Sequence, residues 1–249
     1  MLPKQGIIIQ ARLGSTRFPG KILRDFSGGR SILQIQCEKL TGLNETQLIV
    51  ATTTSEKDDD IEMFCKDHDL LCFRGSENDV LKRFIDCAHK YEFTHVIRVC
   101  SDNPFLSGKG VAQLIQLQAN SPDSDYIAFK IGDKPSILTH FGLWAEAVRV
   151  SALKRIANTT NESFYHEHVT NYIYNNPDLF NITFIDLGSF WESRQQLRFT
   201  VDTPEDFMNM AVLYALTSNN DDAEQLVYAA EQSPALLESM KKQIIKNTK

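Results

Sequence analysis

Apolar, β-branched runs recur along the first half of the chain at Gly6–Ala11, Gln47–Ala51, Leu70–Phe73 and His95–Val99. They are short and show no strict polar alternation, which predicts strands buried on both faces, as in a parallel sheet. Between them apolar residues recur at helical spacing. Helices are predicted over Ser31–Leu43, through Met63 and Phe64 from a cap at or near Ser55, over Asp79–Tyr91 with Val80, Phe84 and Cys87 in register, and over Gly108–Ala119. This alternation predicts a doubly wound, mostly parallel α/β sheet up to residue 120. The pattern then loosens. Strands are predicted at Tyr126–Lys130, Leu143–Val150, Phe180–Leu187 and Leu197–Val201, and helices at Ser151–Asn158, at Ser163–Tyr174 and from Pro204 onward, with Pro234 opening the last one. No repeat, low-complexity tract or linker interrupts the chain, so residues 1–249 read as a single domain with a lid-like insertion at about 125–195.

Composition narrows the function classes. With 12 Gly and 8 Pro in 249 residues the chain is neither disordered nor fibrous. A net charge of −6 argues against a general nucleic-acid binder. No apolar run is long enough to span a bilayer or serve as a signal peptide, so membrane insertion is not expected and a cytoplasmic location is. The 5 cysteines stand singly without a C-x-x-C pair, which fits reduced thiols rather than a disulfide framework or zinc site. Charge is unevenly spread: residues 1–30 carry Lys4, Arg12, Arg17, Lys21, Arg24 and Arg30 against Asp25 alone. A basic segment on an acidic protein suggests a pocket for a small polyanion.

In a parallel α/β sheet, ligands bind beyond the carboxyl ends of the strands. Four clusters fall there: 12–21, 52–55, 74–79 and 100–105. The first, Arg12-Leu-Gly-Ser-Thr-Arg-Phe-Pro-Gly-Lys21, combines Gly14 and Gly20, which allow close backbone approach and positive φ, with three cations and the hydroxyls of Ser15 and Thr16. Such a loop can cradle a triphosphate, although it is neither G-x-x-x-x-G-K-[ST] nor G-x-G-x-x-G. Asp102 and Asp202 each follow an apolar run and could meet at one edge to hold Mg²⁺; alternatively each caps the following helix. His166 and His168 lie in Tyr165-His-Glu-His-Val-Thr170, which is not H-E-x-x-H; they can contact a substrate or simply form a polar helix face. Asp58-Asp59-Asp60 contains a D-x-D by spacing but lies at a predicted helix start.

Taken together, Ile9-Gln-Ala-Arg-Leu-Gly-Ser-Thr-Arg-Phe-Pro-Gly-Lys-Ile-Leu23 resembles the N-terminal motif of the CMP-sugar-synthetase family, which includes Kdo and acylneuraminate cytidylyltransferases and the SpsF-type spore-coat polysaccharide branch. Val50–Thr53, Phe73–Ser76 with Asp79–Leu81, Glu167–Thr170 and Val201–Asp206 resemble that branch in order. The resemblance spans about residues 5–215 and leaves out the tail after Thr217. It implies a glycosyltransferase-A-like Rossmann variant with an inserted lid or dimerisation segment, and transfer of CMP from CTP to a sugar acid with release of diphosphate. Sugar-1-phosphate nucleotidyl transfer, glycosyl transfer and non-catalytic nucleotide binding stand as alternatives. Carried over residue by residue, Arg12, Lys21, Asp102 and Asp202 would be catalytic. Ala11, Arg12, Gly14, Ser15, Arg17, Lys21, Thr52, Gly75 and Ser76 would bind the nucleotide. His140, Glu146, His166 and His168 would face the sugar, Asp102 and Asp202 would hold Mg²⁺, and the protein would be a homodimer. Two positions depart from the motif: Ser107 stands where a second carboxylate is expected after Asp102, and His166 stands in place of an arginine.

Overall fold

The computed structural model describes residues 4–217 and 222–246. Four parallel strands form its first half: β1 (Gln5–Gln10), β2 (Gln47–Thr53), β3 (Leu71–Gly75) and β4 (His95–Cys100). Strands β1, β2 and β4 are buried nearly throughout, with Ile7, Ile8 and Ile9 at 0% exposure, because helices cover both faces, whereas the edge strand β3 is half-buried with Leu71 exposed. The helices are α1 (Ile32–Leu40), α2 (Asp59–Asp67), α3 (Val80–Lys90) and α4 (Gly108–Asn120). Polar N-caps start three of them: Ser31 accepts from the Gln34 N–H, Asp79 from Lys82 and Ser107 from Gly110.

The segment 125–195 contributes strands to the same sheet. It supplies β5 (Tyr126–Ile131), β6 (Lys134–Pro135), β7 (Glu146–Arg149) and β8 (Ile182–Asp186). Strand order is β3-β2-β1-β4-β7-β5-β6, with β8 also pairing β5. Strand β7 runs antiparallel to both β4 and β5, while β8 runs parallel to β5. The mostly parallel α/β architecture expected from the sequence is therefore present. Helices α5 (Val150–Thr159), α6 (Ser163–Glu167) and α7 (Asn171–Asn175) follow β7, and the one-turn α8 (Ser189–Glu192) follows β8. Tyr126, Phe129, Phe141, Trp144 and Trp191 of this segment are buried: Phe141 and Trp191 meet edge to face at 5.2 Å, as do Trp144 and Trp191 at 4.8 Å.

Two expectations are corrected. The single helix predicted over Ser163–Tyr174 is broken into α6 and α7 at Val169, which takes φ +44°. A β-branched residue adopts that conformation only under outside constraint. The constraint is its neighbour Thr170, wholly buried with its hydroxyl bonded to Glu146. The strand predicted at Leu197–Val201 joins no ladder. It is extended and buried, but held by separate bonds from Phe199 N–H to the His140 carbonyl (2.9 Å) and from Val201 N–H to the Asp102 carbonyl (3.0 Å). The chain ends in α9 (Pro204–Leu216), α10 (Ala223–Glu231) and α11 (Pro234–Lys246), whose Leu213, Val227, Ala230 and Met240 join the main core.

Candidate active site

A cavity of about 600 Å³ opens at the carboxyl edge of β1 and β4. Its wall gathers Ala11, Arg12, Gly14, Ser15, Arg17 and Lys21 from the loop after β1, Asp102 from the turn after β4, and Asp202 from the extended segment before α9. The loop holds its shape by its own bonds: Ser15 and Gly20 N–H groups donate to the Leu13 carbonyl at 2.9 and 3.1 Å, and Phe18 N–H donates to Ser15 Oγ at 3.3 Å. Gly20 uses its freedom, at φ +70°, whereas Gly14 has no positive φ and simply leaves open space on the wall.

The Asp58-Asp59-Asp60 run contributes a brace to this loop. Asp58 is 2% exposed and accepts from Leu13 N–H at 2.7 Å and from the Thr53 hydroxyl, so it ties the loop to the end of β2. No ligand role is left for it, and nothing in the sequence beyond its place after Thr53 could have announced the brace.

Asp102 and Asp202 converge although only one of them ends a sheet strand. The Val201 N–H bond to the Asp102 carbonyl brings the two segments side by side. Lys21, 8% exposed, lies between the carboxylates, with Nζ 3.4 Å from Asp102 and 3.6 Å from Asp202. Asp202 also pairs with Arg17 and with Arg198, each at 2.7 Å. Burial alone would push the Asp202 carboxyl up; Lys21, then Arg198 and Arg17, overcome this and hold it below the usual carboxylate range. Neither residue caps a helix. Thr203 caps α9 in a capping box with Asp206, and Ser107 caps α4.

The pair fits a hard divalent cation. Both donors are carboxylate oxygens on the cavity wall, and the Lys21 ammonium already occupies a cation's place between them. No group of three or more His, Cys, Asp or Glu that could hold a metal occurs among the described residues, so these two carboxylates would be the only acidic ligands.

Other expected contacts fall differently. Thr52 is wholly buried, and Thr52, Gly75 and Ser76 are not on the wall. Phe73 and Arg83 lie over Gly75: a Cβ added there would sit 2.7 Å from Phe73 Cε1 and 3.0 Å from Arg83 Cγ. Arg83 is 2% exposed and lines the cavity; Nη1 donates to the Ser76 carbonyl and Nε has no partner. Burial, then the charge of Arg12, pull its pKa down. A buried cation without a carboxylate is costly and points toward an anionic ligand. Sequence reasoning missed Arg83 because it sits mid-helix at a position that reads as surface.

Of the residues expected to face the sugar, His168 alone is on the wall. His166 lies behind it, bonding Asp79 at 2.7 Å and the Thr160 carbonyl at 2.9 Å. His140 Nδ1 accepts from Arg198 Nη1 at 2.8 Å, and Glu146 is 0% exposed. Glu167 crosses the mouth to Arg12 at 2.8 Å. Gly142 permits the close approach that closes the other side: a Cβ there would meet Thr200 Cγ2 at 2.6 Å and Asn103 Oδ1 at 2.7 Å.

The family model for cytidylyltransferases matches residues 6–243. The chain belongs to the cytidylyltransferase family. The match runs past Thr217 into α11, so the C-terminal helices, left out of the resemblance read from the sequence, are part of the family's unit. This cytidylyltransferase is 31% identical over 234 residues to the spore coat polysaccharide biosynthesis protein SpsF of Bacillus subtilis, covering 91% of this chain and 94% of that one. It is 26% identical over 171 residues to a 3-deoxy-manno-octulosonate cytidylyltransferase of Colwellia psychrerythraea, covering 66% and 57%. The solved cytidylyltransferase of Leptospira borgpetersenii superposes with a TM-score of 0.83 at 25% identity, covering 94% and 97%. No helix among the described residues is long and apolar enough to cross a membrane.

Proposed function

We propose that this cytidylyltransferase transfers CMP from CTP to a sugar acid of the Kdo or nonulosonate kind, releasing diphosphate, for surface-polysaccharide synthesis. It works in the cytoplasm, with Mg²⁺, as a homodimer. The observation that carries the reading is the convergence of Arg12, Arg17 and Lys21 with Asp102 and Asp202 on one cavity wall. The names of the spore-coat and Kdo relatives support the product class.

Catalysis then rests on positioning and charge. Arg12, Arg17 and Lys21 already have anionic partners in Glu167, Asp202 and Asp102, so nucleotide arrival exchanges carboxylate for phosphate oxygen at preplaced cations. Lys21 is fixed by its bond to the Val201 carbonyl and stays near the leaving diphosphate. Asp102 and Asp202 would hold Mg²⁺, which neutralises phosphate charge and makes a nearby hydroxyl more acidic when bound. The rest of the cavity, with Thr139, Asn171, Tyr174 and His168 on its wall, offers polar groups to the sugar.

Diphosphate release from CTP with Mg²⁺, measured across Kdo, N-acetylneuraminate and neutral sugar 1-phosphates, tests the reading. Release with an acid is expected. CTP binding without release, or release with neutral sugar phosphates alone, overturns it. Calorimetry with the four nucleotides is expected to favour CTP, and light scattering at micromolar concentration to give a dimer.

A further inference from the structure

Glu146 and Arg98 form a buried ion pair beside the cavity that phosphate binding leaves unused. They face each other in register, Arg98 on β4 and Glu146 on β7. Arg98 is 6% exposed and lies on the cavity wall; Glu146 is 0% exposed and does not. Both Glu146 oxygens are occupied: Oε1 accepts from the Tyr126 hydroxyl, Oε2 from Arg98 Nη1, and the Thr170 hydroxyl is shared between them at 3.1 and 3.2 Å. Burial, then the Glu146 charge, push the Tyr126 hydroxyl upward, so it remains a donor. Arg98 Nε donates to Gln10 Oε1 at 3.1 Å, and neither that bond nor the one to Glu146 uses Nη2.

We infer that Arg98 reads the carboxylate of the sugar acid, with Glu146 as the positioning residue that fixes its guanidinium. The inference rests on the proposed sugar-acid reading and names the group that would select for it. A buried ion pair adds little stability over an apolar pair of the same volume, so its presence on a ligand wall calls for another role. The guanidinium fork matches a carboxylate. Because Glu146 cancels the charge of Arg98, the spot suits a single directional carboxylate better than a phosphate, which is drawn to the cations of the loop after β1. Arg98 also lies where α7 supplies Asn171 and Tyr174 to the same wall.

The experiment measures diphosphate release with Kdo and with its C1 methyl ester, at saturating CTP, alongside CTP affinity by calorimetry. Wild type is expected to prefer the acid. The double variant Arg98→Gln/Glu146→Gln removes both charges together and so strands no buried carboxylate. It is expected to raise KM for the acid by about 10- to 100-fold and to erase the acid-over-ester preference, with CTP affinity and melting temperature held. If the double variant does not fold, Arg98→Lys keeps the ion pair but loses the fork, and its acid KM is expected to rise about 10-fold. An unchanged acid KM in a folded variant overturns the inference. Wild type that turns over acid and ester equally also overturns it while leaving CMP transfer to sugars intact. Wild type that ignores both and accepts only neutral sugar phosphates overturns the sugar-acid reading and the role of Arg98 together.

Discussion

Asn in place of Asp102 or Asp202 separates their contributions to folding and to turnover. At Asp202 the change keeps size and an acceptor but removes the charge shared by Lys21, Arg17 and Arg198. The side chain is 13% exposed, so solvent screens these contacts incompletely. Each charge-assisted bond is worth roughly 1.5–3 kcal/mol. Much of that survives, because Asn still accepts, Arg198 keeps Asp206 and Lys21 keeps Asp102. The net loss is about 1–2 kcal/mol, or about 2–8 °C in melting temperature for a domain of this size. Asp102 is 33% exposed and has one ionic contact, at 3.4 Å, so Asp102→Asn costs less than about 0.5 kcal/mol. Both variants lose a ligand oxygen charge at the proposed metal pair. Turnover is expected to fall at least about 100-fold in each, on the order of 2.7 kcal/mol of transition-state stabilisation. The assay pairs diphosphate-release kinetics with thermal melting. The lowered pKa of Asp202 adds a pH signature. Its stabilisation is complete above the unfolded carboxylate value near ~3.9 and is lost as pH falls through the lower folded value, so the melting gap between wild type and Asp202→Asn shrinks in acid. Near-normal turnover with native-like melting in either variant removes that residue from the site. Equal melting losses in the two variants refute the electrostatic accounting.

Three further outcomes follow from the surroundings of the cavity. Arg83→Met discards a buried cation whose Nε is unpartnered, so melting temperature is expected to hold or rise while calorimetric CTP affinity falls about 10-fold; unchanged affinity would place Arg83 outside the nucleotide site. Asp58→Ala releases the Leu13 N–H and the Thr53 hydroxyl, with an expected cost of roughly 1–3 kcal/mol in stability and weaker CTP binding; native affinity would refute the brace. His166 is pushed above its ordinary pKa by its bond to the Thr160 carbonyl and by Asp79, against an opposing effect of burial. The docking of α6 is thus strongest below the unfolded value near ~6.5 and weakens as pH rises through the higher folded value. Amide exchange over 163–168, corrected for intrinsic rates, should slow at pH 6 relative to pH 8 and lose that dependence in His166→Gln.

The fold was legible wherever burial and backbone pairing coincide. Ile7–Ile9, Ile49–Ala51 and, but for Arg98, Val96–Val99 are apolar because two helical layers cover them, and the same burial makes the runs visible in sequence. Leu197–Val201 shows how the signal misleads. Leu197, Phe199 and Val201 are each 0% exposed, so the strand-like alternation is real, and Arg198 between them is buried through Asp206 and Asp202. What the pattern lacks is any statement about partners, and here the backbone donates to two loop carbonyls instead of a neighbouring strand. The break at Val169 was hidden for a related reason: local propensity favours one helix, and the bond from Thr170 to a carboxylate 24 residues earlier overrides it.

At the site, legibility followed the distance over which each residue acts. The loop 12–21 and the two aspartates announce themselves because charge and glycine cluster at strand ends, where ligands bind whatever the details of the wall. Residues that act through one intermediate were misread. Glu146 was expected to face the sugar, yet its oxygens are spent on Tyr126, Thr170 and Arg98, and the arginine it holds is the one on the wall. Gly75 and Ser76 were expected around the base, yet Arg83, one helical turn into α3, covers the first and bonds the carbonyl of the second. In both cases a small or acidic residue at a strand end was the visible marker, and an arginine from the neighbouring element was the group that reaches the cavity. A long side chain carries its charge several ångströms from its own backbone, so its function is recorded at the position it reaches rather than the position it occupies in sequence.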